Sequence, residues 1–156
     1  MNLPSGSKVW IFQSIRNFTE TEQIEIEQIL NKFMEEWNAH GAALSSDFSI
    51  YHNRFIVIAT DENQVQASGC SIDSMTRVIK SIEEKYKFGL LNRMLISYRS
   101  GSDIMTLPLP EFKQKVKSGE LNEETIIFNN SLTHLNEFNA QWEIPVKESW
   151  AKSLVN

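Results

Sequence analysis

The sequence contains few cysteine, proline and glycine residues, which cross-link a chain or interrupt its helices and strands. It has one cysteine, four prolines and six glycines among 156 residues. A single cysteine, Cys70, excludes an internal disulfide and is consistent with a reducing compartment. The low glycine and proline content, beside 41% hydrophobic residues, excludes collagen-like and low-complexity chains. What is left is an ordinary globular composition at the length of one typical domain.

Basic residues and long apolar runs are also scarce. Fifteen Lys and Arg stand against 20 Asp and Glu, which gives a net charge of −5. Because a phosphate-tracking surface needs an excess of basic residues, we expect no nucleic-acid partner. No apolar run approaches the roughly 20 residues that span a bilayer. The N-terminus has no signal-peptide pattern, so we expect a cytoplasmic protein without membrane insertion.

The first two-thirds of the chain alternates between strand-like and helix-like patterns. Residues 8–15 are rich in β-branched and aromatic side chains, which is typical of a strand. Thr19 and Glu22 have the spacing of a capping box and predict a helix start, with Gly41 as its stop. Two strands then turn at His52 and Asn53. A second helix, capped by Ser71 or Asp73, leads to a hairpin that turns at Ser100 and Gly101.

This order, βαββαβ, predicts an α+β fold of the ferredoxin-like type, an antiparallel sheet with both helices on one face. The strands are apolar on both faces, since Val9 and Ile11 alternate with Trp10 and Phe12. Two helices cover only one face. We therefore expect a C-terminal helical extension to cover the second face, with an open face forming a dimer interface as the alternative.

The expected arrangement is a single domain over residues 1–156. We expect residues 1–107 to form the βαββαβ core plus a hairpin strand, and residues 108–156 to form the C-terminal cover. Within the cover, the sequence predicts a strand at 125–128 and helices that begin near Pro110, Ser131 and Pro145. The side chains expected to reach the second face are Phe112, Phe138, Trp142 and Trp150.

Motifs that bind nucleotides or metals do not occur in the sequence. Neither G-x-x-x-x-G-K-[ST] nor G-x-G-x-x-G is present, which excludes a P-loop ATPase. His40, His52 and His134 show no metal-ligand spacing, so we expect no metal site and no cofactor. G-x-S-x-G is also missing, which disfavours acyl-transfer chemistry.

The most suggestive segment is the polar loop 61–73, which joins a strand to a helix start. Free N–H groups there favour an anion and lower the pKa of a thiol. On that interpretation Cys70 is a candidate catalytic nucleophile. The candidate ligand-binding residues beside it are Ser68, Gly69, Ser71 and Asp73. The plainer interpretation is a helix cap beside a small buried cysteine.

A second group of polar residues has no explanation from core packing. Arg54 and Asn129 are weak candidates for ligand binding, because polar residues at strand ends gather at sites on sheet proteins. The same pattern includes Gln13, Arg16, Asn53 and Asn130.

The predicted fold makes RNA binding on the sheet a third possible function. Trp10 and Phe12 stand where an RNA recognition motif carries a stacking ring. The third strand offers only Phe55, so core packing explains these aromatics better.

Five stretches resemble a family of short bacterial proteins whose members are often labelled "ABC transporter ATPase". They are LPSGSKVWIFQS (3–14), NRFIVIA (53–59), ASGCSID (67–73), IFNN (127–130) and WEIPVKESW (142–150). The resemblance covers essentially the whole chain. It transfers no catalytic residue, because the Walker A, Walker B and signature motifs of transporter ATPases are not in this sequence.

These observations lead to two hypotheses of function. The first is a non-catalytic cytoplasmic protein that binds a small molecule or another protein, as a monomer or a homodimer. The alternative is a small enzyme or ligand-binding protein that uses the polar loop 61–73. The first is favoured, since the structural signals are complete and no catalytic constellation accompanies them.

Overall fold

The structure, a computed structural model, describes residues 1–155. Four α-helices are present: α1 (Glu20–Glu36), α2 (Gly69–Tyr86), α3 (Leu109–Lys117) and α4 (Leu135–Gln141). The strands are β1 (Lys8–Gln13), β2 (Asn38–Ala39), β3 (Ala42–Ala43), β4 (Ser45–Tyr51), β5 (Phe55–Asp61), β6 (Leu95–Ser100), β7 (Asp103–Pro108), β8 (Ile126–Phe128) and β9 (Glu143–Pro145). Two 3₁₀ helices, Val146–Glu148 and Trp150–Val155, follow. Helices and antiparallel sheets together make the fold α+β, as predicted.

The strand order differs from the ferredoxin-like prediction. One sheet has the order β1-β5-β4, with antiparallel neighbours. The predicted fourth strand, β6, does not pair with β1. It belongs instead to a second sheet of order β7-β6-β8-β9. The expected single four-stranded sheet is therefore wrong, and β2 and β3 form a separate small hairpin.

The outer edge of β1 explains this difference. An antiparallel bridge joins Lys8 to His134. The Val9 N–H donates to the Thr133 carbonyl at 2.9 Å, and the Leu135 N–H donates to the Ser7 carbonyl at 2.8 Å. The segment before α4 thus pairs with the first half of the outer edge of β1, where β6 was expected. Strand β6 belongs to the second sheet instead.

Both faces of the β1-β5-β4 sheet are covered. Helices α1 and α2 pack over the face that carries Phe12, Ile56 and Ile58. Phe138 and Trp142 pack on the opposite face, as the C-terminal cover predicts. The other two aromatics lie elsewhere: Phe112 belongs to a third cluster against β6, and Trp150 is 49% exposed. Two of the four predicted contacts are therefore wrong, because the second sheet has a core of its own.

Local capping decides where the helices begin. The predicted capping box is present, with Glu22 N–H donating to Thr19 Oγ1 at 3.2 Å and Thr19 N–H donating to Glu22 Oε1 at 2.8 Å. Helix α2 is capped by Ser68 and not by Ser71 or Asp73, because Ser68 has extended backbone and its hydroxyl accepts the Ser71 N–H.

Two C-terminal helix predictions and one helix stop need correction. Asn129 holds Ser131 in a turn by accepting its N–H and its hydroxyl, so α4 begins only after His134. The predicted last helix is two 3₁₀ pieces interrupted at Ser149. Helix α1 ends before Trp37, and Gly41, with φ of 83°, turns the β2–β3 hairpin.

The predicted turn between β4 and β5 is confirmed. His52 and Asn53 adopt φ of 53° and 56°, and β4 and β5 pair from Tyr51 and Phe55 onward. No helix within residues 1–155 combines the length and the apolar character needed to cross a membrane.

Candidate functional site

A cavity of about 610 Å³ lies along the outer edge of β1. Its walls come from the half of that edge that the bridge at Lys8 leaves open, from the segment between α2 and β6, and from the loop after β8. The lining side chains are Lys8, Val9, Trp10, Ile11, Gln13, Leu90, Asn92, Arg93, Leu95, Ile96, Leu109, Phe128, Asn130, Ser131, Leu132, Thr133 and Trp150. The cavity therefore occupies the place where the predicted fourth strand would have paired.

The strand edge itself supplies hydrogen-bonding groups to this cavity. Antiparallel pairing makes alternate residues direct both backbone groups to the same side. Since Val9 donates to Thr133 on the outer side, Ile11 and Gln13 also direct their N–H and carbonyl groups outward. Arg93 satisfies the Ile11 carbonyl.

The segment between α2 and β6 is held firmly against this edge. Lys87 ends α2 in the left-handed region, and Gly89 follows with φ of 82°. The Glu83 carboxylate accepts the N–H groups of Gly89 and Leu90 at 2.9 to 3.0 Å. A side chain at position 89 would meet Ile15 and Leu95 at 3.1 and 3.2 Å, so glycine suits both the space and the backbone. These contacts fix the position of Arg93.

Arg93 is the main charged group of the cavity. Its Nη1 donates to the Ile11 carbonyl at 2.8 Å, and its guanidinium lies 5.2 Å from the centre of the Phe12 ring. Although Arg93 is exposed as a residue, burial of this end lowers its pKa. Within residues 1–155 no carboxylate forms an ion pair with it.

Lys8 is the second cation of the cavity. It lies 5.4 Å from the centre of the Trp10 ring and, within the described residues, also lacks an ion-pair partner. Ile11, whose carbonyl anchors Arg93, lies three residues beyond Lys8 on the same strand, so the backbones of Lys8 and Ile11 are roughly 10 Å apart. The lining contains no Asp and no Glu.

A buried polar network forms the far wall. The Gln13 side chain donates to the Leu95 carbonyl at 2.9 Å and accepts from Ser97 at 2.6 Å and from Asn130 at 2.8 Å. Asn130 in turn accepts the indole N–H of Trp142 at 2.8 Å. This network joins β1 to β6 and to the C-terminal cover, so it sets the width of the cavity. The two residues it links, Gln13 and Asn130, are among the polar residues that core packing did not explain.

The remaining wall is apolar and open at one side. Val9, Ile11 and Phe128 are buried, whereas Trp150 is 49% exposed. Leu91 and Met94, next to lining residues on the segment before β6, are exposed as well. The arrangement combines an apolar body, two cations and a partly exposed tryptophan.

The polar loop predicted from the sequence borders a different groove. Ser68, Cys70 and Ser71 line a depression of about 520 Å³ between α1 and α2. Cys70 is exposed, which corrects the interpretation of a small buried cysteine. The serine hydroxyls serve the helix start, since Ser68 accepts the Ser71 N–H and the Ser71 hydroxyl donates to the Ser68 carbonyl at 2.8 Å.

The other predicted site residues are dispersed. Gly69 and Asp73 are exposed beside that groove and do not line it. Asn129 stabilises the turn at Ser131, and Arg54 lines a separate cavity between the β4–β5 and β6–β7 turns. The structure thus brings together Ser68, Cys70 and Ser71 but not Arg54 and Asn129.

Trp10 and Phe12, the two aromatic residues in the position for RNA stacking, pack into the core. Phe12 is 3% exposed, and Trp10 packs edge-on against Trp37 with ring centres 6.0 Å apart. Within residues 1–155 no cluster of three His, Cys, Asp or Glu side chains could hold a metal ion.

Comparisons with protein-family models, curated proteins and solved structures give no match to this chain. The resemblance to the short bacterial family therefore stays a prediction. Only the geometry of the chain bears on its function.

Sequence reasoning missed Arg93, Lys8 and Trp150 as site residues. Arg93 follows Asn92 between two apolar pairs, Leu90-Leu91 and Met94-Leu95, and a charge between apolar residues is a signal that could have found it. Lys8 and Trp150 carried no comparable signal, since each begins an element and is unremarkable in its local sequence.

Proposed function

We propose that this chain is a non-catalytic binding protein for a small amphipathic anion, held in the cavity along β1. The observation that carries the proposal is the charge of the lining. Lys8 and Arg93 are its only charged residues, in a chain whose net charge is −5. Two cations without a carboxylate among them favour an anion, and the apolar walls favour a hydrocarbon or aromatic body.

The size of the cavity agrees with this class of ligand. Small-molecule sites have volumes of about 300–1,000 Å³ and are mostly apolar with a few placed polar groups. At about 610 Å³, the cavity is in that range. The open backbone edge of β1 and the Asn130 amide add donors and acceptors that fix a polar head.

Arg93 is suited to hold the anionic head. Nη1 is engaged with Ile11, and the other guanidinium nitrogens make no hydrogen bond with residues 1–155. A guanidinium that already has one anchored nitrogen loses little freedom when it binds a carboxylate through the others.

The lining also supports a binding role over catalysis. General acid–base chemistry at neutral pH uses His, Glu, Asp, Lys, Cys or Tyr as the proton carrier. Among these, the lining provides only Lys8, which faces an aromatic ring. The alternative role for the loop 61–73 has less support, because the Ser68 and Ser71 hydroxyls are engaged at the start of α2.

Calorimetric titration with decanoate tests the proposal. Decanoate has one carboxylate and an apolar body that fits the cavity. We expect one saturable site with a dissociation constant in the micromolar range, on the order of −7 to −8 kcal/mol. The proposal fails if neither decanoate nor an aromatic acid such as indole-3-acetate shows saturable binding at millimolar concentration.

A further inference from the structure

A second cavity, of about 510 Å³, lies between the β4–β5 turn and the β6–β7 turn. Arg54 borders it directly after the two left-handed residues His52 and Asn53. Its backbone is fixed by the Ser14 N–H, which donates to the Arg54 carbonyl at 2.8 Å. Arg54 is only 5% exposed.

The Arg54 guanidinium is buried without a counter-ion. Nη1 donates to the Ile104 carbonyl, while Nε is buried and has no partner within residues 1–155. No carboxylate of the described residues forms an ion pair with it. Burial lowers the pKa of Arg54, since the charged form has lost water. Buried charges in proteins are normally paired, so an unpaired guanidinium beside a cavity indicates a missing anion.

The neighbouring cations of this cavity are already neutralised. Arg16 makes two hydrogen bonds of 2.8 Å with Glu22, and the Arg99 Nε donates to Glu143 at 2.7 Å. Asp103, the carboxylate of this lining, is exposed to solvent and forms no ion pair with Arg54. Arg54 is therefore the buried cation on this wall that has no ion-pair partner within the described residues.

We infer that this second cavity binds a short carboxylate through the guanidinium of Arg54. Ile15 and Met105, which are 48% and 44% exposed on its walls, contact the apolar end of such an acid. A guanidinium that is fixed by a backbone carbonyl presents its remaining N–H groups in the planar geometry that a carboxylate accepts. The inference does not depend on the cavity along β1.

An NMR titration of the full chain with sodium acetate tests this site. The Arg54 Nε–H resonance and the amides of Asp103 and Ile104 are followed, with sodium chloride at equal ionic strength as the control. We expect saturable shifts with acetate only, with a dissociation constant of roughly 1 to 10 mM for so small a ligand. Shifts that are linear, or equal in acetate and chloride, would overturn the inference.

Two matched variants test whether the acetate-induced shifts depend on Arg54. Arg54→Gln should abolish the acetate-induced shifts, whereas Arg77→Gln, the same charge change on an exposed position of α2, should leave them intact. Saturable shifts that persist in folded Arg54→Gln protein contradict the inference, and so does phosphate binding tenfold more tightly than acetate. If Arg54→Gln does not fold, the wild-type Arg54 Nε–H titration decides the question. Decanoate binding in Arg54→Gln should equal wild type, which separates this site from the cavity along β1.

Discussion

Arg93 donates a 2.8 Å hydrogen bond to the carbonyl of Ile11, 82 residues earlier in the chain. The bond puts a side-chain guanidinium where a neighbouring strand would place a backbone N–H. It satisfies the edge of β1 without closing it, so the remaining edge, the segment before β6 and the C-terminal loop enclose a cavity instead of a fourth strand. The cavity is positively charged at this end because Arg93, and not another strand, binds the outer edge of β1.

Trp150 should report ligand binding by its fluorescence. It is half exposed at the cavity, whereas Trp37 and Trp142 are 3% and 6% exposed. We expect decanoate to shift the emission maximum to shorter wavelength, because an apolar chain displaces water from the indole. Trp150→Phe should reduce this shift, leaving the part that comes from Trp10, and still bind decanoate within about threefold of wild type by calorimetry. Because Trp10 also lines the cavity, an unchanged shift in the double variant Trp10→Phe, Trp150→Phe would place the ligand elsewhere.

Asn130→Ala should destabilise the protein by about 1–3 kcal/mol, measured by urea unfolding. The substitution leaves the buried indole N–H of Trp142 without its acceptor and removes a donor to Gln13. Asn129→Ala is the matched control, since Asn129 serves an exposed turn, and it should cost less than about 1 kcal/mol. Equal losses in both variants would mean that the network does not hold the cavity wall.

Cys70 should react with iodoacetamide in the native protein, because it is exposed. The modified protein should bind decanoate with the wild-type affinity within twofold, since Cys70 borders the groove between α1 and α2 and not the cavity along β1. Mass spectrometry confirms single labelling, and calorimetry measures the affinity. Loss of binding after labelling would favour the alternative site at residues 61–73.

Local interactions made α1 and the hairpin turns predictable. The capping box of Thr19 and Glu22 spans three residues, and the β4–β5 turn depends on two adjacent residues that tolerate positive φ. Such signals lie within a few residues of each other and are complete in the sequence.

Strand pairing and the candidate site could not be predicted from the sequence, because they depend on contacts between residues that are far apart in the chain. The Lys8–His134 bridge joins distant residues, and no periodicity near either one reveals it. The hydrogen bond between Gln13 and Asn130 joins residues that are 117 positions apart. The sequence marks each of them as a polar residue that core packing does not explain, but it does not show that they contact each other. Arg93 was missed because its partner is a backbone carbonyl, which no sequence pattern marks.

Acid should weaken the protein through Glu22. The two hydrogen bonds from Arg16 lower the pKa of Glu22 from 4.5 to about 2. Because the folded-state pKa lies below the unfolded one, the stabilisation is complete above about pH 4.5 and is lost as the pH falls toward 2. Since Arg16 is open to solvent, we expect only about 1 kcal/mol.

Urea unfolding at pH 6 and pH 3 measures this effect. Glu22→Gln should reduce the difference in free energy of unfolding between the two pH values, whereas Glu35→Gln, at an exposed position on the same helix, should not. The prediction is wrong if the two variants change the difference equally.

The central claim is that the cavity along β1 selects an anion through Arg93. The ratio of the dissociation constants of 1-decanol and decanoate tests this claim. The dissociation constants of 1-decanol and decanoate are measured by calorimetry on wild type and on Arg93→Gln. Loss of a charge-assisted bond costs roughly 1.5–3 kcal/mol, so wild type should prefer decanoate about 10- to 100-fold. In Arg93→Gln that preference should fall to about threefold or less, with decanol binding unchanged. A preference of the same size in both proteins, or none in wild type, would contradict the account.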